Sequence, residues 1–195
     1  DLEQDMFISE GILDVLDHSA PEPLFGAKIG IDSTRRLPGE KERRRFSAIL
    51  EVPGWEKIRQ ALRDISSALS TFHVPDLSVH NRPLLISIRK DGSLSGRSLA
   101  EPLLDHPGLQ AFSILLLYDE GIDLRDASMI SWKVFNNVDP RRDIIRKGGR
   151  IVIDATKKGP EDGHHREWPD DIVMDPVIVK RVASRAAELG IEAFI

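Results

Sequence analysis

An almost continuous apolar run from Phe112 to Tyr118 decides which architectures this sequence can adopt. A strand with apolar residues at consecutive positions buries both of its faces, as strands do in the middle of a sheet that helices cover on two sides. The run is far shorter than a bilayer span, so we expect no integral membrane segment. It predicts the central strand of a layered sheet.

The segments on either side of this run alternate between strand and helix patterns. Strands are predicted at residues 28–32, 84–88 and 151–153. Helices are predicted after Pro53, at residues 97–104, after the capping residue Asp126, and from Pro176 to a stop at Gly190. Roughly helical spacing of Met6, Ile8, Ile12, Leu13, Val15 and Leu16 predicts another helix at the N-terminus. The predicted fold class is α/β, with a layered, mixed or mostly parallel sheet flanked by helices.

Charge and cysteine content exclude several classes of function. The sequence has 27 Lys and Arg against 32 Asp and Glu, for a net charge of −5, so we expect no nucleic-acid partner. It contains no cysteine, which excludes disulfides, thiolate metal sites and cysteine nucleophiles. We therefore expect a cytoplasmic protein.

The sequence contains a partial internal repeat. The segment around Asp32-Ser-Thr34 reappears 122 positions later around Asp154-Ala-Thr156, and Pro38 and Phe46 match Pro160 and Trp168 at the same offset. We predict that Ile31 and Ile153 are buried strand residues leading into equivalent loops, and that Phe46 and Trp168 lie on comparable helix surfaces. Residues 1–56 are interpreted as the tail of a preceding unit and residues 57–195 as a complete α/β domain. Because the chain starts at Asp1, we expect it to be part of a longer protein.

No motif in the sequence specifies catalysis. Asp32-x-Thr34 and Asp154-x-Thr156 follow strands, at a place where loops often hold ligands. The alternative, which we favour, is that the Asp and Thr side chains fix a turn by accepting backbone N–H groups. The acidic loop from Tyr118 to Asp123 is either a metal or phosphoacceptor site or, as we prefer, a solvated loop before the capped helix. His164 and His165 are adjacent and should face opposite ways, which does not suit one shared metal ion. The residues alone predict no catalytic and no metal-ligating side chain.

Several motifs, in order, resemble the UbiD family of non-oxidative carboxy-lyases, which includes the 3-octaprenyl-4-hydroxybenzoate decarboxylases of quinone biosynthesis. The resembling stretches have the sequences LISIRK (residues 85–90), ILLLYDEGIDLRD (114–126), WKVFNNVDPRRD (132–143) and IVIDATKKGPEDGHHREW (151–168). The last signature is repeated at residues 26–40, and residues 13–21 resemble the stretch that precedes it. All of these belong to the C-terminal region of the family.

This resemblance implies decarboxylation of aromatic or α,β-unsaturated acids on prenylated FMN, with manganese and potassium. The catalytic residues and metal ligands of the family lie upstream, so we transfer none to this chain. Lys90, at the end of the LISIRK strand, is the only candidate for contact with the cofactor; the other interpretation is that Arg89-Lys90 simply ends a strand. The implied partners are an upstream flavin-binding domain of the same chain and further copies in a homo-oligomer.

The leading hypothesis is the C-terminal portion of a UbiD-type decarboxylase in quinone biosynthesis, with this part serving assembly and active-site closure and inactive when isolated. The main alternative is a non-catalytic oligomerisation or interaction lobe appended to the enzyme. A nucleotide-binding or receiver-like domain is a third hypothesis. We also predict that residues 2–17 dock either onto the second copy of the repeat or across a two-fold axis onto another chain, giving a dimer of moderate affinity.

Overall fold

The structure, a computed structural model, describes residues 4–35, 37–40, 50–76 and 83–194 of the chain. Within these residues the strands are β1 (Met6–Leu13), β2 (Phe25–Ile31), β3 (Leu69–His73), β4 (Pro83–Ile88), β5 (Ile114–Asp119), β6 (Ile144–Lys147) and β7 (Arg150–Asp154). The helices are α1 (Trp55–Ile65), α2 (Gly96–Asp105), α3 (Ala127–Asn137), α4 (Pro140–Asp143), α5 (Pro176–Ala183) and α6 (Ala186–Leu189). Short 3₁₀ turns lie at Pro107–Leu109, Pro160–Asp162 and Glu192–Phe194.

The predicted apolar strand, β5, lies at the centre of a five-stranded sheet of order β3-β4-β5-β7-β6. It runs parallel to β4 and β7, while β3 and β6 are antiparallel at the two edges. Leu115 and Leu117 are buried on one face of the sheet, and Leu116 and Tyr118 on the other. The layered α/β fold with a mixed sheet is therefore confirmed.

Helices cover both faces of this sheet. Apolar residues of α1 and α2 pack on the face of Leu115 and Leu117, and those of α3 pack on the opposite face. Asp126 caps α3 as predicted, because its Oδ1 accepts the backbone N–H groups of Ser128 and Met129, both at 3.0 Å. The predicted last helix begins at Pro176 and ends at Gly190, which has a φ of 67°, but it is divided into α5 and α6. In the described part of the chain, no helix is both long and apolar enough to cross a membrane.

The predicted N-terminal helix is wrong, because these residues form β1. Met6 and Ile8 alternate with Phe7 and Ser9, and β1 pairs antiparallel with β2. Gly11 has a φ of 66°, which an α-helix does not accommodate. We call β1 and β2 the N-terminal hairpin, and residues 55–194 the α/β unit.

The N-terminal hairpin has the same strand register as the β6–β7 hairpin. Equivalent cross-strand pairs are Met6–Ile31, Phe7–Gly30, Ile8–Ile29 and Ser9–Lys28 in the first, and Ile144–Ile153, Ile145–Val152, Arg146–Ile151 and Lys147–Arg150 in the second. The repeat detected in the sequence thus corresponds to a repeated hairpin, with the predicted strands leading into both Asp-x-Thr segments.

Other predictions about the repeat are wrong. Ile31 is 63% exposed and Ile153 is only half-buried, since these side chains lie where the two hairpins leave an open cleft. Trp168 lies in a segment without regular structure rather than on a helix, where its ring contacts the rings of His18 and His164. Phe46 lies outside the described residues.

The N-terminal hairpin docks on the α/β unit of the same chain. Met6 is buried with Ile144 and Ile151, and its carbonyl oxygen accepts a hydrogen bond from Arg146 at 2.9 Å. The backbone N–H of Ala27 donates to Asp139 Oδ2 at 3.0 Å. The described part of residues 2–17 thus contacts the second copy of the repeat within the chain, which is one of the two predicted arrangements; docking across a two-fold axis stays a prediction.

Candidate functional site

Three parallel strands, β4, β5 and β7, end side by side and bring most of the predicted polar residues together. We call this place the carboxyl edge of the sheet. Lys90 follows β4, Asp119 ends β5, and Asp154 ends β7 and opens the Asp-x-Thr turn. Loops at such an edge are the usual ligand-binding region of α/β sheets.

The Asp154-x-Thr156 turn is closed by its own side chains. Asp154 Oδ1 accepts the backbone N–H of Thr156 at 3.0 Å and its hydroxyl at 2.6 Å. Burial opposes the charged form of Asp154, but Lys158 and the hydrogen bonds from Thr156 hold the pKa of Asp154 below its ordinary value. The interpretation that this motif fixes a loop accounts for these contacts.

The same turn forms in the first copy. Asp32 Oδ1 accepts the backbone N–H of Thr34 at 2.8 Å and its hydroxyl at 2.6 Å. Thr34 is exposed, whereas Thr156 is fully buried. Local sequence therefore specifies the turn, and only the second copy places it among other charged groups at the carboxyl edge.

Lys158 is the most deeply buried cation at the carboxyl edge. Its side chain is 0% exposed, and its ammonium donates to the carbonyl oxygens of Asp154 and Thr156. The ammonium lies 3.4 Å from Asp154 Oδ1 and 3.9 Å from Asp143 Oδ1. One buried cation thus holds the end of β7 against the residue before β6.

Asp143 connects this cation to a second buried pair. Arg142 donates to Asp143 through Nε at 2.6 Å and through Nη2 at 2.7 Å, a bidentate arrangement. Burial raises the pKa of Asp143 to about 6, although Lys158 and Arg142 favour its charged form. Asp143 Oδ2 also accepts the backbone N–H of Asp139 at 2.8 Å. We call Lys158, Asp143, Asp154 and Arg142 the ionic latch.

His164 extends the latch toward the N-terminal hairpin. Its Nδ1 lies 3.3 Å from Arg142 Nη1, and burial together with the charge of Arg142 lowers the pKa of His164 to about 4. A neutral imidazole that accepts from Arg142 at Nδ1 carries its proton on Nε2, which is buried without a hydrogen-bond partner. His165 is exposed, so the prediction that the two histidines face opposite ways is confirmed.

Lys90 is held by acceptors of the protein itself. Its Nζ donates to the carbonyl oxygen of Lys157 at 2.9 Å and to Asp162 Oδ2, and it lies 3.5 Å from Glu161 Oε1. A flavin phosphate at this ammonium would face two carboxylates of like charge, so this surrounding does not fit that group. Lys90 as a cofactor contact stays a prediction, and it requires Glu161 and Asp162 to move away.

The acidic loop after β5 serves turns and caps. Asp119 accepts the backbone N–H of Lys157 at 2.9 Å, and burial raises the pKa of Asp119. Asp123 accepts the backbone N–H of Arg125 at 2.9 Å, and Glu120 lies 3.7 Å from Arg89. The described residues contain no group of three or more His, Asp or Glu side chains that could hold a metal ion.

The ionic latch was not predicted from the sequence. Lys90, Asp119 and Asp154 do meet at one edge, but Lys158, Asp143 and Arg142 were not singled out, although their motifs were. The cue in the sequence was the clustering of charged residues within two of the family-like motifs, WKVFNNVDPRRD and IVIDATKK. Chemically, the latch pairs buried charges with one another and fixes the backbone around them.

Comparisons with known proteins support the resemblance. The family model of the 3-octaprenyl-4-hydroxybenzoate carboxy-lyase C-terminal domain matches residues 48–164. An uncharacterized protein of Helicobacter pylori is 31% identical over 185 residues, which cover 93% of this chain and 28% of the relative. An uncharacterized protein of Aquifex aeolicus is 31% identical over 140 residues, covering 62% of this chain and 28% of the relative. The chain therefore spans less than a third of the length of these relatives.

Solved structures that partly match this chain include a UbiD-class enzyme and a vanillic acid decarboxylase. An evolved dimeric form of HmfF from Pelotomaculum thermopropionicum, in complex with prFMN, has 17% identity and a TM-score of 0.48, covering 64% of this chain and 27% of that one. The open form of vanillic acid decarboxylase from Sedimentibacter hydroxybenzoicus has 20% identity and a TM-score of 0.47, covering 67% of this chain and 31% of that one. Because the family model spans more than half of the residues, this chain belongs to the UbiD family, in the part described as the carboxy-lyase C-terminal domain.

Proposed function

We propose that this chain is the C-terminal portion of a UbiD-type non-oxidative decarboxylase of aromatic or unsaturated acids, and that its own role is assembly and active-site closure. The observation that carries the proposal is the ionic latch within a chain of this family. Buried, mutually paired charges keep the carboxyl edge and the strand ends rigid, which suits a part that moves as one body against a catalytic domain.

The contacts between the N-terminal hairpin and the α/β unit support this role. Arg166 Nη1 donates to the carbonyl oxygens of Asp17 and Ala20 at 3.2 and 3.3 Å, close to the His164–Trp168 ring contact. Ala27 on β2 donates to Asp139, whose own N–H donates to Asp143 of the latch, so these interactions join the N-terminal hairpin to the α/β unit. A rigid connection of this kind would transmit motion of one part to the other.

We propose further that the chemistry resides outside these residues, on prenylated FMN with manganese and potassium held by an upstream domain. The substrate class that we favour is an aromatic acid in the cytoplasmic formation of a quinone: for ubiquinone this would be a 4-hydroxybenzoate with a prenyl chain, and for menaquinone a bicyclic aryl acid. The family description supports this choice, because it names a carboxy-lyase of 3-octaprenyl-4-hydroxybenzoate. When bound, the flavin would supply the electrophile; residues of this chain would supply closure.

The experiment is to measure CO₂ release by the full-length protein that carries these residues, loaded with prenylated FMN, and by a form lacking residues 57–195. Closure by this part predicts that the truncated form loses at least tenfold in kcat/KM while its flavin absorbance is retained. An equally active truncated form would contradict the closure role. Absence of CO₂ release from any aryl acid by the full-length protein would contradict the decarboxylase assignment.

One observation favours the alternative, a non-catalytic oligomerisation or interaction lobe. Apolar side chains are exposed along one C-terminal stretch, with Ile172, Val173 and Met174 followed by Val177 and Ile178 on α5. Contiguous exposed apolar surface of this kind marks interaction sites. Under this alternative, the truncated form keeps its kcat/KM and changes its molar mass in light scattering. A homo-oligomer in the full-length protein fits both proposals.

A further inference from the structure

The two equivalent hairpins differ in how many neighbours their second strands have. β7 is hydrogen-bonded on one side to β6 and on the other to β5. Among the described residues, β2 is paired with β1 alone, in a two-stranded sheet. The strand of the first copy therefore presents an open edge at the place where the strand of the second copy meets a parallel neighbour.

The backbone groups on that open edge are those that bind the neighbour in the second copy. The N–H of Ile151 on β7 donates to Ser113 O, just before β5, at 2.8 Å, and the N–H of Ala155, just after β7, donates to Leu117 O on β5 at 2.9 Å. Their equivalents at the 122-position offset are Ile29 and Ser33.

The direction of these equivalent groups follows from two hydrogen bonds. The N–H of Asp32 donates toward β1, to Asp5 O at 2.7 Å, and the N–H of Ala27 points away from β1, to Asp139. Successive residues of a strand alternate in direction, so Ile29, Ile31 and Ser33 direct their N–H groups to the open edge.

Burial differs at the same positions. Ile29 is 42% exposed, whereas its equivalent Ile151 is 4% exposed. Ile29 and Ile31 line an open cleft of about 510 Å³ with apolar side chains of α3, among them Phe135, which is mostly exposed. Natural proteins seldom leave an apolar strand edge of this kind uncovered, because its unpaired backbone groups can pair with another strand.

We propose that the open edge of β2 is the docking site for a parallel, β5-like strand of another α/β unit, encoded ahead of Asp1 in the same polypeptide. A second copy of this chain does not supply that strand, because its β5 is already paired on both sides, with β4 and β7. The chain covers only 28% of its relative in Helicobacter pylori, which leaves ample length for such a unit. The N-terminal hairpin thus completes an upstream sheet while it docks on this α/β unit, and so joins the two.

The register makes the location of the strand specific. β5 ends at Asp119, which precedes Ile144, the equivalent of Met6, by 25 positions. An apolar run of strand length should therefore end about 20 residues before Asp1, counted in the same register.

The experiment compares amide hydrogen exchange in the 195-residue chain and in the full-length polypeptide. In the short chain, the amides of Lys28 and Gly30 should be protected by β1, and those of Ile29 and Ile31 should exchange fast. In the full-length polypeptide, the amides of Ile29 and Ile31 should slow by at least a hundredfold, to the level of their neighbours. Unchanged fast exchange of Ile29 and Ile31 there would overturn the proposal.

A proline variant gives a second, independent readout. Ile29→Pro removes an N–H of the open edge and leaves the N–H groups that face β1 in place, so it should lower the denaturation midpoint of the full-length polypeptide far more than that of the short chain. Lys28→Pro is the control, because it removes an N–H that faces β1 and should affect both chains alike. Equal effects of Ile29→Pro in the two chains would contradict the docking site.

Discussion

Replacing Lys158 with methionine should be among the most damaging single changes in this chain. Its ammonium lies 3.4 Å from Asp154 Oδ1 and 3.9 Å from Asp143 Oδ1. With an effective dielectric constant near 20, these distances correspond to attractions of about 5 and about 4 kcal/mol. The desolvation cost of the buried ammonium, several kcal/mol, offsets roughly half of that sum.

Methionine fills a similar volume but leaves two buried carboxylates without their shared cation. We therefore expect Lys158→Met to lower the free energy of unfolding by about 3–5 kcal/mol, the range found when one partner of a buried ion pair is removed. Lys147→Met is the matched control, since Lys147 pairs with Asp105 at 2.7 Å where both side chains are about half exposed. Such surface pairs contribute about 0–1 kcal/mol.

The measurement is urea denaturation at neutral pH, followed by far-UV circular dichroism and tryptophan fluorescence. A second readout separates charge from packing. Loss of the cation raises the pKa of Asp143 further, so as the pH falls from neutral the unpaired carboxylates take up protons and the deficit of Lys158→Met should shrink. A loss no larger than that of Lys147→Met, or a deficit independent of pH, would refute the reasoning.

The other predictions concern backbone contact, titration and cofactor. Gly96→Ala should cost about 1–3 kcal/mol, because a Cβ there would collide with the Asp154 carboxylate, while Gly54→Ala, which meets open space, should be nearly neutral in the same denaturation assay. Burial lowers the pKa of His164 to about 4, so below about pH 6.5 the unfolded chain takes up a proton that the folded chain does not, and stability falls. Burial raises the pKa of Asp143 to about 6, so the folded chain takes up this proton before the unfolded chain does, and stability rises. Titrating stability from about pH 7 to about pH 4.5 should therefore give slopes displaced in opposite directions for His164→Gln and Asp143→Asn; displacement in the same direction would contradict the assignment. The isolated 195-residue chain should neither retain flavin nor release CO₂ from aryl acids, and stoichiometric visible flavin absorbance after purification would show otherwise.

Short-range patterns predicted the elements that carry their own signal. The apolar run predicted β5, Asp126 predicted the start of α3, and Gly190 predicted the end of the last helix. Each of these features depends only on residues that are close together in the sequence. β1 was mistaken for a helix, since residues 6–16 satisfy a loose helical spacing and only the pairing with β2 selects the alternation of period two. β6 was missed because four residues, two of them charged, give no periodic signal; the Gly148-Gly149 turn to β7 was the available cue.

In the candidate site, too, some features could be predicted from the sequence and others could not. The position of Lys90 beside the Asp154-x-Thr156 turn follows from the rule that parallel strands end at one edge. The partners of Lys158 do not follow from any such rule, because Asp143 lies before β6 and reaches Lys158 only when β6 folds back on β7. Burial of charge is decided by which elements cover it, and sequence spacing does not contain that information.

The two Asp-x-Thr turns show how far a motif alone carries an assignment. Both form the same pair of hydrogen bonds, so the residues are needed for the turn whatever surrounds it. Only the second turn is buried, and there Lys90, which follows β4, donates to the hydroxyl of Thr156. If an upstream sheet covers the open edge of β2, as we propose, the first turn acquires an equivalent position at the carboxyl edge of that sheet. At the second turn Lys90 is already paired with Glu161 and Asp162, so the strands and loops packed beside each turn, and not the Asp-x-Thr motif, decide what the turn can contact.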